Sequence, residues 1–224
     1  MSESPSPVLS AQAAASVLSY AESAIIEDDA VAAARGRAEE LGATAVSPAT
    51  GALLAFLARS VNATNVVEIG TGAGVSGLWL LAGMRADGVL TTIDPEPLHH
   101  RAARASFAGA AVSSGRTRLI NGAPRDVLPR LSDRSYDLVF VDGPQLELPD
   151  FVVEAIRLLR PGGVLVVHDA TAEGAIGDPE RNDPMTDAAR SAAIIVAEDD
   201  RLLPVVIPLG KGVLAAAKAP DRAR

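Results

Sequence analysis

No cysteine occurs in the 224 residues, which excludes disulfides, thiolate metal sites and a cysteine nucleophile. A reducing cytoplasm suits such a chain. Aromatic residues make up only 3% of it, so composition offers no stacking platform for a ring. A basic surplus is missing too: 20 Lys and Arg stand against 28 Asp and Glu, a net charge of −8. Proteins that grip nucleic acid through its phosphates carry a basic run or face, so no nucleic-acid partner is expected. No apolar run reaches membrane-spanning length. Met1 to Pro7 is polar, without the basic start and apolar core of a signal peptide. The expectation is a cytoplasmic protein with no membrane partner and a short disordered leader.

What the chain does have is apolar mass: 48% of its residues are hydrophobic, enough for one substantial core. One domain is expected over 1–224, with a helical segment at 1–62 and an α/β core at 63–224. Leu9, Ala13 and Val17 recur every four residues, and 27–41 is rich in Ala, Glu and Arg, so both stretches predict helices. Ser47-Pro48 supplies an N-cap and a proline at the first helical position, ahead of the stripe Leu53, Leu54, Leu57 and Val61. From Val66 onward, short β-rich runs alternate with helices, with strands predicted near 66–70, 88–94, 117–121, 136–141 and 162–168. Such alternation implies a Rossmann-like, doubly wound sheet. Arg160-Pro161-Gly162-Gly163 reads as the turn before the fifth strand, and 171–187, rich in Gly, Pro, Asp and Asn, as a lid or binding loop. A helix over 187–198 follows. Runs 202–208 and 213–218, joined by Gly210-Lys211-Gly212, then predict an antiparallel hairpin. The sum is a seven-stranded sheet, mostly parallel.

The chemistry concentrates in Val66-Val67-Glu68-Ile69-Gly70-Thr71-Gly72-Ala73-Gly74-Val75-Ser76. A strand that bends sharply into a helix against a ligand has no room for Cβ, which explains the glycines. The first amides of the helix then favour an anion. Asp94 follows Gly72 by about twenty residues, where the second strand of such a unit presents an acid to a ribose diol. Gly72-x-Gly74-x-x-Gly77 also fits a dinucleotide fingerprint, and a lone match of that kind is a weak signal. Glu68 discriminates: facing a pyrophosphate it would be repelled, whereas beside the ammonium of a methionine moiety it is attracted. An NAD(P)-dependent oxidoreductase is therefore the alternative, and S-adenosylmethionine the favoured cofactor.

Polar groups recur at the predicted strand ends: Glu68, Asp94, Asn121-Gly122-Ala123, Asp142 and His168-Asp169. In an open α/β sheet these ends converge on one crevice. His99 and His100, in the helix after Asp94, read as surface residues. Together with Leu159-Arg160-Pro161-Gly162-Gly163, these motifs resemble class I S-adenosylmethionine-dependent methyltransferases, and within them the small O-methyltransferases of the catechol and caffeoyl-CoA type.

The resemblance implies that the Val46 backbone and Glu68 hold the methionine ammonium, and that Ser76 with the amides around Gly70, Thr71 and Gly72 takes its carboxylate. Gly74 belongs to the same bend. Asp94 would hold the ribose, Ala123 the adenine edge, and Asp142 would lie beside the transferring methyl. It further implies a small, aromatic acceptor and a homodimer. Metal-dependent members of that family carry an Asp-Asn pair where this chain has Asp169-Ala170, and a Lys where it has Gln145. A Mg²⁺ site on Asp142 and Asp169 would thus be depleted. Asp142, a metal held there, and His168 all stand as candidates for deprotonating the acceptor. The missing Asn and Lys also keep a non-catalytic cofactor-binding protein in view.

Overall fold

The computed structural model describes residues 9–221, so the expected leader lies outside the described residues. Three helices come first: α1 (Ala11–Ser23), α2 (Asp29–Glu40) and α3 (Pro48–Ser60). Ser47 caps α3 as its sequence predicts, accepting from the Thr50 amide. Glu22 at the end of α1 closes the same turn, accepting from the Ser47 hydroxyl at 2.7 Å and the Ala49 amide at 2.9 Å. A carboxylate is stabilising there because it faces the positive end of the helix.

The core then runs β1 (Asn65–Ile69), α4 (Val75–Gly83), β2 (Val89–Asp94), α5 (Pro97–Gly109), β3 (Thr117–Asn121), α6 (Pro124–Val127), β4 (Tyr136–Val141), α7 (Leu148–Leu158), β5 (Leu159–His168), α8 (Pro184–Glu198), β6 (Leu202–Ile207) and β7 (Val213–Lys218). The seven strands stand in the order β3-β2-β1-β4-β5-β7-β6. The first five are parallel, and β7 pairs antiparallel with both β5 and β6. Alternation along β1 sends Val66 into one core layer with Leu54, Leu78 and Phe107, and Val67 into the other with Phe151, Val152 and Ala192. Apolar residues pointing both ways are what a sheet covered on both faces requires. No helix among the described residues is long and apolar enough to cross a membrane.

Two boundaries differ from expectation. β5 begins at Leu159 rather than 162, because Arg160 to Gly163 stays extended beside β4 through a register shift between Tyr136 and Leu138. Proline and a glycine at φ +75° mark an irregularity inside the strand rather than a turn before it. α8 begins at Pro184, three residues early, because Asp183 caps it by accepting from the Thr186 amide and hydroxyl. The loop after β5 is correspondingly shorter than 171–187 and carries a 3₁₀ turn at Ala175–Gly177.

Strand order reverses between β1 and β4, so the crevice opens above their carboxyl ends. The two strand ends close on each other there: Asp142 N donates to Ile69 O at 2.8 Å. Gly70 sits at φ +94°, and a Cβ on it would collide with the Asp142 carbonyl. Only glycine lets the bend pass that close.

Candidate functional site

A cavity of about 220 Å³ opens at this switch point. It is lined by Val46, Gly70, Thr71, Gly72, Ser76, Asp94 and Asp142 from the expected set, joined by Ala45 and His99. Glu68, Gly74 and Ala123 lie off its wall, Glu68 directly behind the lining residue Ser76. Gly74 instead forms the left-handed start of α4 and packs on Ala103 and Phe107 of α5. Ala123 begins α6, next to Asn121, whose amide is tied to the Asp94 and Pro95 carbonyls.

The glycine bend is wired differently from the expectation. Thr71 N and Gly72 N both donate to Asp94 Oδ2, at 3.0 and 3.1 Å, and Gly70 N donates to Ile93 O. These three amides are therefore satisfied within the protein and are not open for a methionine carboxylate, nor for a diphosphate. The free anion-binding capacity moves one turn on, to α4, which starts without a side-chain cap. Asp94 Oδ1 accepts from Glu96 N at 2.9 Å, and His99 Nδ1 lies 3.0 Å from Asp94 Oδ2. The pair of surface histidines is thus corrected: His99 is a wall residue that braces Asp94, and His100 is buried in the α5 packing. Helical spacing could have flagged it, since five residues after a strand-end carboxylate the first helical turn comes back over that strand end.

Glu68 is fully buried behind the Ser76 hydroxyl, which donates to Oε1 at 2.6 Å, while Oε2 has no partner. Burial pushes this carboxyl up to about 7; the Ser76 hydrogen bond opposes the shift, and the charges of Asp142 and Asp94 add to it. An orphaned, desolvated carboxylate beside an open helix N-terminus fits a ligand that carries both an ammonium and a carboxylate.

Asp142 and His168 form a dyad, with His168 Nδ1 2.8 Å from Asp142 Oδ1. The carboxylate is the partner that faces the cavity, and the imidazole is buried behind it. Burial pushes the imidazole pKa down, but the hydrogen bond and charge of Asp142 override this and hold it above its ordinary value.

The donor set does not fit a divalent ion. Asp142 is engaged by His168, and Asp169 stands at φ +51° with its carbonyl held by Gln145 Nε2 at 3.1 Å. Ala170, where the resemblance implies an amide ligand, packs its methyl group into the core. Among the described residues no group of three or more His, Asp or Glu comes together as a metal site.

Comparison with known proteins agrees with this fold. The sequence profile of the O-methyltransferase family matches residues 18–219. A relative from Mycolicibacterium vanbaalenii that bears the name O-methyltransferase is 58% identical over 212 residues, covering 95% of this chain and 94% of its own. A crystal structure of a protein from Corynebacterium glutamicum superposes with a TM-score of 0.87 at 38% identity, over 95% of this chain and all of that one. The O-methyltransferase TomG from Streptomyces achromogenes, involved in tomaymycin synthesis and solved in complex with S-adenosylmethionine, superposes with a TM-score of 0.82 at 31% identity, over 91% and 96% of the two chains. This chain belongs to the O-methyltransferase family.

Proposed function

We propose that the protein binds S-adenosylmethionine in the switch-point cavity and transfers its methyl group to a hydroxyl of a small, aromatic acceptor. The observation that carries this reading is the buried Glu68 carboxylate with its unpartnered oxygen. TomG, similar over nearly the whole chain, was solved with the same cofactor. When bound, the cofactor supplies a methyl group already activated by a positive sulfur. Glu68 and the Val46 backbone attract the ammonium, while the open α4 N-terminus, the Ser76 amide included, receives the carboxylate, the Ser76 hydroxyl staying on Glu68. Asp94, braced by His99 and the bend amides, meets the ribose diol, and Ala123 borders the adenine. Asp142 takes the acceptor's O–H proton, backed by the His168 imidazole. The freed oxygen lone pair forms the new O–C bond as the C–S pair returns to sulfur, leaving it neutral. Alignment and deprotonation are what the protein must provide.

The acceptor approaches past the loop after β5. The helices within residues 9–62 cover the core built from residues 63–221, and the whole works as one domain in the cytoplasm. Exposed apolar side chains on the leading helices, Tyr20 and Phe56 among them, support a homodimer built on that cover; light scattering of the purified protein at micromolar concentration checks it. The central reading is tested by melting. S-adenosylhomocysteine at a hundred times its Kd should stabilise the fold by about 2.7 kcal/mol. Stabilisation by NAD with none by S-adenosylhomocysteine would overturn the cofactor and the reaction together.

A further inference from the structure

The hairpin between β6 and β7 brings a cation to the place where the divalent ion does not fit. Lys211 Nζ lies 3.0 Å from Glu173 Oε1 and 3.9 Å from Asp169 Oδ2. The charges of Asp169, Glu173 and Asp142 all act on this ammonium. Its backbone is fixed rather than loose: Thr171 Oγ1 donates to Lys211 O at 2.8 Å, Gly212 N donates to Leu209 O at 2.8 Å, and Ala170 N donates to Gly212 O at 3.1 Å. Gly212, at φ +86°, packs so tightly on Thr171 that a Cβ there would clash. The hairpin is thereby locked to the segment that follows His168.

The ammonium is held but not used up. Glu173 is largely exposed, and an ion pair of that kind is worth at most about 1 kcal/mol. Asp169 at 3.9 Å is a Coulombic neighbour beyond hydrogen-bond distance. Of three ammonium protons, two remain for another acceptor. The side chain is 41% exposed and edges a groove walled by Leu18, Thr171, Ile176, Val206 and Pro208. An acceptor oxygen arriving beside Asp142 and Asp169 meets two carboxylates, and His168 pairs only with the first, so its ionisation is favoured by a cation that offsets Asp169. Lys211 is placed to do so.

Building on the assignment of Asp142 to the acceptor side, we propose that the Lys211 ammonium is the resident cation of the acceptor site. It pairs with the acceptor oxyanion in place of a divalent ion. A metal chelates two neighbouring oxygens, whereas an ammonium needs one. The acceptor class is therefore a ring bearing one acidic hydroxyl, with no vicinal oxygen required.

The test uses the full chain, dialysed against EDTA and saturated with S-adenosylhomocysteine, with 4-nitrophenol and 4-nitrocatechol as probes whose visible bands report ionisation. The apparent pKa of bound 4-nitrophenol should fall by about one unit, a tenfold change in ionisation. Added Mg²⁺ should leave it unchanged, and the two probes should bind within about threefold of each other. Lys211→Arg should keep the shift and Lys211→Gln should lose it. A shift that appears only with Mg²⁺, a Lys211→Gln variant indistinguishable from wild type, or no perturbation of either probe overturns the proposal. Melting with S-adenosylhomocysteine in the same samples reads the methyl-donor assignment separately. A protein that responds to it but not to Lys211 loses only the resident cation, and one that does not respond loses both.

Discussion

Glu68→Gln should stabilise the empty protein and weaken its grip on the cofactor at once. The carboxyl's pKa is 4.5 unfolded and about 7 in the fold, raised first by burial. The unfolded chain therefore gives up this proton earlier, and stability is lost as pH climbs from about 4.5 to 7. Above that window wild type carries a cost of roughly 3 kcal/mol. A glutamine must still bury its amide, so the net gain at pH 8 is about 1–2 kcal/mol. That corresponds to a melting temperature higher by about 2–8 °C in a chain of this size. At pH 5 the gain should vanish. Cofactor binding moves the other way, because opposite charges several ångströms apart at an effective dielectric near 20 attract by about 2–3 kcal/mol. Losing that raises the Kd for S-adenosylhomocysteine by about 30-fold to 150-fold. Near pH 7 wild-type binding should also release about half a proton, read by calorimetry in two buffers of different ionisation enthalpy. A Glu68→Gln protein that melts below wild type at pH 8, or binds S-adenosylhomocysteine within twofold of it, would refute the reasoning.

Three further outcomes are expected. In Asp142→Asn the burial of His168 is opposed only by the charge of Asp169, so an NMR titration should find its imidazole below the wild-type pKa, with turnover lower by about a hundredfold; an unmoved imidazole would show that Asp142 does not set it. The dyad's contribution to stability is complete below the unfolded histidine pKa of about 6.5 and is lost as pH rises through the raised folded value, so His168→Asn should destabilise at pH 6 more than at pH 9 in urea titrations. At the opposite end of the sheet, burial alone would raise the Asp137 carboxyl, but the Asn65 and Thr64 amides and the Arg160 guanidinium hold it below its ordinary value. Its stabilisation is present above the unfolded pKa of about 3.9 and is lost as pH falls through the folded one, and Asp137→Ala should cost about 3–5 kcal/mol at pH 7 by denaturant melts. A cost below 1 kcal/mol would mean that those donors find solvent instead.

Much of the site was legible because strand-end chemistry is local. A glycine bend after Val66-Val67, a carboxylate at position 94 and another at 142 each follow from what a βα turn needs at its own position. Ser47 capping α3 is legible for the same reason, since a cap and its helix are neighbours in the chain. His99 was misread because its partner belongs to β2, and only the return of α5 over the strand end brings Nδ1 to Asp94. Gln145 reads in the sequence only as a missing lysine; in the fold its amide supports the Asp169 carbonyl.

The sequence by itself determined the alternating architecture, the switch-point crevice and the preference for a cationic ligand over a diphosphate, because periodicity, glycine placement and the charge on residue 68 are properties of short segments. Tertiary structure alone decided where the bend amides go, that His168 stands behind Asp142, and that Lys211 from the last hairpin reaches Asp169. Those pairings join residues 22 to 42 positions apart, and their distances are set by how β5, β7 and the helices pack.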